Sequence, residues 1–359
     1  MGITTVLSTV TVREMSNAQL LLQMGRYNVT RRLDDQAEVV GVASQKIDSA
    51  TRESAQWESL RDDLAEVGRY IQAVVDQVGS IQTTVKKMTT TAYSARNQDS
   101  ISSDTYKFSF DAGLRSVNSA AKDNSLVPNL LGSAPVSDYS YKTNLSGEYA
   151  TLEPHFVGSD YYILDSDGKK WVREADYQLV LQRRDATTGA ATGEQANLST
   201  GIRLDSFDTS TGAVTFTLQD PTTGAWDDSY SGTVYRSGLK ILDSWLYDGL
   251  ATTTGRSNAL IDLHRARSAV DVQLAKYQAA LSAATYHDER AREGIEGLTN
   301  KVDSLTAQQL LALQEVDTKS QFVNGLNRLA VQANTNVRLE YFRMFEANTF
   351  TRNLVDALA

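Results

Sequence analysis

Cysteine is absent from the chain, which excludes disulfides, thiol nucleophiles and zinc–thiolate centres. Histidine is scarce: His155, His264 and His287 are too few and too scattered for a metal site. His155 reads as a partly buried loop residue, and His264 and His287 read as residues on a solvated helix face. No apolar run approaches the ~18 residues that span a bilayer, so no membrane span is expected. The stretch Met1–Leu7 lacks the basic region and small-residue cleavage site of a secretory signal, so export, if any, needs no cleaved signal peptide. Gly-rich phosphate loops, nucleophile elbows and paired carboxylate signatures are missing too. Asp165-Ser166-Asp167-Gly168 fails as a calcium loop, because Lys169 and Asp176 stand where ligands are needed, and it reads as a turn. These absences predict a protein that is not an enzyme, with no catalytic residue, no cofactor and no metal.

What is present is unevenly distributed. All four prolines (Pro128, Pro135, Pro154, Pro221) and 14 of the 22 glycines lie in residues 99–255. Proline costs roughly 3 kcal/mol inside a helix, so the two proline-free ends are permissive for long helices. Residues 1–98 carry 11 basic and 11 acidic side chains, and residues 256–359 carry 12 of each. Residues 99–255 carry 12 basic and 21 acidic, so the whole net charge of −9 sits in the middle. Such an acidic segment resists non-specific nucleic-acid binding, and no nucleic-acid partner is expected.

Both ends show a seven-residue hydrophobic repeat. Leu60, Leu64, Val67, Ile71, Val74, Val78, Ile81, Val85 and Met88 alternate steps of four and three, the period that keeps one seam facing a partner helix. At 1.5 Å per residue the stretch spans roughly 42 Å. The seam is rich in β-branched residues, poor intrinsic helix formers, so its burial must supply most of the helix stability. Leu260, Leu263, Val270, Leu274, Tyr277, Leu281, Ala284, Ala291, Ile295, Leu298, Val302 and Leu305 fit a matching register, interrupted by Arg267 and Asp288. Polar residues at such positions can set register at a cost in stability. The two seams are natural partners, and a chain that leaves and returns pairs them antiparallel.

The middle changes period. Thr105–Phe110 alternates as a strand does, and residues 111–150 read as irregular. Tyr161–Leu164 and Lys170–Val172 flank one hairpin turn, and Gly201–Leu204 and Ala213–Leu218 flank another. Tyr177–Leu181 reads as a strand leading into a polar Gly/Thr-rich stretch at 185–194, and Gly232–Tyr235 and Gly238–Leu242 read as closing strands. The predicted fold class is α+β: long antiparallel coiled-coil helices from both chain ends with an inserted, mostly antiparallel β domain. Its divisions are an N-terminal helical arm, 1–98, with a coiled coil over 57–95, and an acidic β-rich insert, 99–255. The C-terminal arm, 256–359, has a coiled coil over 258–306 and a terminal assembly helix over 307–359.

Leu298-Thr299-Asn300-Lys301-Val302-Asp303 is followed by Ala307-Gln308-Gln309-Leu310-Leu311 and then Leu329-Ala330-Val331-Gln332-Ala333-Asn334. That order resembles the terminal region of the bacterial flagellins and hook–filament junction proteins. Asp34-Asp35 precedes Asp62-Asp63 at nearly the family's separation of paired acidic sites, before Gln82-Thr83. The family's Leu-Ser-Ser-Gly signature is replaced by Tyr27–Leu33. The resemblance implies an extracellular, self-assembling filament subunit of a bacterial surface appendage, exported without a cleaved signal. Its partners would be further copies in a helical homo-oligomer, and an export chaperone. Leu20, Leu21, Phe322, Leu326, Leu329, Tyr341, Phe342 and Phe345 are the candidate assembly residues, drawn from apolar stretches at both ends. The competing readings are a type III secretion needle-tip or filament protein, and a ligand-binding β domain on a helical stalk.

Overall fold

A computed structural model describes residues 3–95, 103–122, 130–132, 138–174, 179–220 and 222–358, with side chains except in 3–18, 20, 21, 227, 338, 342 and 345–358. Helix α1 covers Ile3–Ser94, α2 Ser103–Lys122 and α3 Thr253–Leu358. Among the described residues, nine strands lie between α2 and α3. The fold class is α+β, with long antiparallel helices from both chain ends and an inserted, antiparallel β domain. The chain divides into two compact units: residues 1–58 with 293–359, and residues 59–292.

In the second unit α1 and α3 run antiparallel. Gln82 donates to Asp271 at 2.6 Å, and further along α1 the Tyr93 hydroxyl lies 3.4 Å from the His264 ring, earlier on α3. Helix α2 is a correction to the strand expected at Thr105–Phe110. Tyr106, Phe108 and Phe110 alternate, but Phe110, Leu114, Val117 and Ala121 recur at steps of four and three and are fully buried. That stripe continues well past any strand. Asp104 in the first turn and Lys122 in the last complement the helix dipole. Gly113 presses α2 onto α1, since a Cβ there would lie 3.1 Å from the Met88 sulfur.

Residues expected to be irregular also hold a hairpin, β1 (Tyr139–Lys142) with β2 (Tyr149–Leu152). Tyr139 packs on Tyr70 of α1 at a ring separation of 5.1 Å, which explains why an isolated two-stranded ribbon persists there. The larger sheet contains β3 (Ser159–Asp165), β4 (Lys169–Arg173), β5 (Val180–Asp185), β6 (Ala191–Asn197), β7 (Ile202–Phe207), β8 (Ala213–Gln219) and β9 (Trp226–Gly238). Its order is β6-β5-β4-β3-β9-β8-β7, antiparallel throughout. The sheet curls over a core in which Trp171 of β4 meets Phe216 of β8 and Tyr230 of β9 at 5.5 and 4.8 Å. Within the polar stretch at 185–194, Ala191 opens strand β6, and the Tyr177 and Gln178 part of the strand expected at 177–181 lies outside the described residues.

A second correction concerns Gly238–Leu242, expected as a closing strand. Strand β9 ends at Gly238, and Leu239, Ile241 and Leu242 bury their side chains as a strap instead. Gly238 sits at φ +64, a conformation that a Cβ disfavours, and this turns the chain off the sheet. The strap leads into a short 3-10 segment, Ser244–Leu250, whose Asp248, Gly249 and Leu250 are also left-handed.

In the first unit α1 and α3 are again antiparallel: Gln36 donates to Asp317 at 3.0 Å, while Trp57 lies against Gly294, about 3.0 Å from a Cβ built there. Arg32 adds an exposed ion pair to Asp317 at 3.7 Å. None of the described helices is long and apolar enough to cross a membrane.

Candidate functional site

The two units use their apolar residues in opposite ways. In the second unit Leu60, Leu64, Val67, Ile71, Val74, Val78, Ile81, Val85 and Met88 are each 5% exposed or less. On α3 the buried column is Ala259, Leu263, Ala266, Val270, Gln273, Tyr277, Ala284 and Ala291. Leu263, Val270, Tyr277, Ala284 and Ala291 are in the expected register, and the second column sits one residue earlier than Leu260, Arg267 and Leu274. Ala266 and Gln273 occupy the seam, while Arg267 is half exposed and pairs with Asp271 at 3.9 Å on the outside. Leu274 and Leu281 are half-buried beside the seam, and so is Asp288. Small side chains on α3 let the bulkier seam of α1 approach, and Tyr277 caps the packing with its hydroxyl 3.4 Å from the Leu130 carbonyl.

In the first unit the inner faces are thin and the outer faces apolar. Among its described residues, Ala50 and Leu298 are the only buried apolar side chains, with Ile295, Val302 and Leu305 half-buried. Phe322, Leu326, Leu329 and Tyr341 are 66, 50, 63 and 68% exposed. Leu22, Tyr27, Val29 and Leu33 on α1, and Leu310, Leu311, Val337, Leu339 and Met344 on α3, are exposed as well. Leu20, Leu21, Phe342 and Phe345 lie outside the described side chains. Soluble monomers seldom expose so many large apolar residues along two adjacent helices.

Two polar networks hold the β domain. Asp165 is buried at the first hairpin, where its carboxylate accepts from Asp167 N, Lys169 N, Trp171 Nε1 and Arg183 Nε at 2.7–3.1 Å. Arg183 also reaches Asp167 and Glu194 and stacks over Tyr230 at 5.2 Å. This arrangement is a structural clasp, because every partner is supplied by the chain itself. His155, expected as partly buried, is exposed, and its backbone N–H bonds to Leu130. His264 is exposed and His287 half-buried against Tyr286. Among the described residues no cluster of histidine and carboxylate side chains could hold a metal ion.

The second network joins α2 to the strap. Ser244 donates to Asp111 from its backbone N–H at 2.8 Å and its hydroxyl at 2.7 Å. The Tyr161 hydroxyl donates to Asp243 at 2.7 Å, and Arg173 stands 3.7 Å from that carboxylate. Burial, and then the neighbouring Asp243 charge, push Asp111 up to about 7, with the two Ser244 hydrogen bonds, and then Arg115, opposing. A carboxyl whose folded pKa is raised stabilises the fold fully below its unfolded value, and that stability is lost as pH rises through the folded value. Between about pH 4 and pH 7, wild type should therefore lose on the order of a few kcal/mol relative to Asp111→Asn, at about 1.4 kcal/mol per unit. Urea melts of both proteins at pH 4.5 and pH 8 check this. A difference that does not change with pH would refute the assignment.

Three strand connections repeat one pattern that sequence reading passed over: Asp185-Ala-Thr-Thr-Gly-Ala190, Asp208-Thr-Ser-Thr-Gly-Ala213 and Asp220-Pro-Thr-Thr-Gly-Ala225. In each, the Asp carboxylate accepts backbone N–H groups from the turn, the Gly takes φ of 72–79°, and the Asp N–H bonds to the Ala carbonyl. A common turn chemistry thus closes three hairpins of one sheet.

No protein-family model and no curated protein matches the chain. Solved structures do. FliC from Burkholderia pseudomallei is 16% identical with a TM-score of 0.31, over 61% of this chain and 99% of that one. Hook-associated protein-3 from Legionella pneumophila is 11% identical with a TM-score of 0.35, over 77% and 99%. FlgL from Xanthomonas campestris is 11% identical with a TM-score of 0.21, over 78% and 99%.

Proposed function

We propose that this protein is a structural subunit of a flagellin-like filament, assembling through its terminal helices with the β domain exposed. Catalysis has no part in this reading. The observation that carries it is the thin core among the first unit's described residues: two paired helices with two buried apolar side chains and a long row of exposed ones. Isolated helix pairs of this kind gain little from propensity and need tertiary burial. Further copies of the chain supply that burial. Phe322, Leu326 and Leu329 on α3, with Leu22 and Tyr27 on α1, are exposed on both helices of the pair, so each helix offers a copy an apolar surface. A contact that joins two different patches does not close on itself and propagates as a helical polymer. The balanced charge of both arms permits close approach of like subunits.

Leu326→Asp with Leu329→Asp tests the reading at the surface, since both residues are at least half exposed and the fold does not depend on them. The double variant should keep its melting behaviour and sediment as a monomer at concentrations where wild type forms large species. Equal sedimentation of variant and wild type would overturn the proposal.

A further inference from the structure

A cleft of about 270 Å³ lies where the end of β9 meets the start of α3, lined by Arg236, Gly238, Leu239, Lys240, Asp262, Arg265 and Ala269. Its floor is Asp262, whose side chain is 8% exposed. That carboxylate is already fully engaged. It accepts the Tyr247 hydroxyl at 2.8 Å and Arg236 Nη1 at 2.9 Å, and Arg265 stands 3.5 Å away. Two arginines thus share one carboxylate and Lys240 joins them in the lining, so three cations against one carboxylate leave two positive charges in a chain of net −9. Arg236 is itself held over the Phe207 ring at 5.3 Å with only 15% of its side chain exposed, so its fork is fixed before any ligand arrives.

Lys240 is the second observation. It adopts φ +60, in the left-handed region that costs a residue with a Cβ roughly 1–2 kcal/mol. Glycine would take that position without strain, as Gly238 does two residues earlier at φ +64. The turn is pinned by Leu239 N–H on Gly158 and Lys240 N–H on Ser237, and it brings the lysine into the lining of the cleft. Strain of this kind accumulates where a side chain has a task.

We propose that this cleft binds a phosphate group, the Arg236 fork and the Lys240 and Arg265 ammonium and guanidinium ions together matching a dianionic tetrahedral head. The cleft volume admits a phosphate with a small attached moiety, so free phosphate and the phosphate of a sugar are the two sources of one chemistry. The test is calorimetric titration of the full chain with inorganic phosphate and, separately, glucose 6-phosphate, at fixed ionic strength set with chloride. Saturable binding of either one is expected, and the tighter of the two identifies the source. Lys240→Gly should weaken that binding about tenfold or more while raising the melting temperature by relieving the backbone. Arg265→Gln, at a side chain that is 76% exposed, should weaken binding without changing the fold. No saturable binding of either anion, or unaltered binding in the Lys240→Gly, Arg265→Gln double variant, would overturn the proposal.

Discussion

A chain carrying Ile71→Asp and Val78→Asp should lose the helix pairing of the second unit altogether. Both side chains have no exposed surface, and each lies in a seam of buried apolar side chains. An uncompensated buried charge costs about 3–5 kcal/mol, so two of them cost about 6–10 kcal/mol, comparable to the ~5–15 kcal/mol that holds a typical domain together. Circular dichroism at 222 nm should fall and the thermal transition should broaden or vanish. Ala266→Ser provides the control on the facing helix, where a small polar change costs far less. A double Asp variant that melts like wild type would show that this seam does not hold the helices.

The second large effect is expected at the hairpin clasp. Arg183→Ala removes three ion pairs at once and leaves Asp165, whose side chain is 1% exposed, with no cation beside it. One Glu194 oxygen is already buried without a partner, so the change leaves two carboxylates short of donors. The ring faces of Trp171 and Tyr230 lose their covering guanidinium as well. Breaking a buried pair from one side costs about 3–5 kcal/mol, far beyond the ~0–1 kcal/mol of an exposed pair such as Arg32–Asp317. Urea unfolding followed by tryptophan fluorescence reads this directly, because Trp171 lies in the clasp. Arg183→Lys keeps the charge and loses the fork, and should fall between the two. A shift below ~1 kcal/mol for Arg183→Ala would refute the clasp as the main support of the sheet.

Some of this architecture can be read from residues alone, and the reasons differ by element. Leu60–Met88 is legible because every seam position is a large apolar residue at a constant period. Its partner column is hidden, since Ala259, Ala266 and Gln273 look like surface residues, and only packing against a bulky seam explains their burial. Helix α2 is concealed for a related reason. Its core stripe is broken by Asp111 and Asn118, both buried and both serving as acceptors, for Ser244 and for the Ser159 N–H respectively. The hairpins at Asp165 and Asp208 announce themselves through turn chemistry, and the six-residue repeat at Asp185, Asp208 and Asp220 can be counted in the sequence. The strap after Gly238 gives no such signal, because a run of Leu239, Ile241 and Leu242 reads equally as strand or as buried coil. The phosphate cleft is assembled from β9, the strap and α3, and no spacing in one segment could have pointed to it.

The assembly residues show what pattern can and cannot convey. An apolar stretch at 322–345 suggests burial, yet Phe322, Leu326, Leu329 and Tyr341 lie exposed in the single chain. Hydropathy predicts that a face will be covered and is silent on whether the cover comes from the same molecule. The half-buried inner faces of the first unit supply the missing information. The described side chains of that unit form little core of their own, and this makes a second copy the natural source of burial.

The central claim is therefore tested best by looking at the purified full-length chain. Negative-stain electron microscopy at high protein concentration, and again in precipitating salt, should show filaments of constant width with a regular axial repeat. A chain trimmed to residues 30–318 should stay as single particles under the same conditions. Full-length protein that remains monodisperse and monomeric throughout would contradict the account.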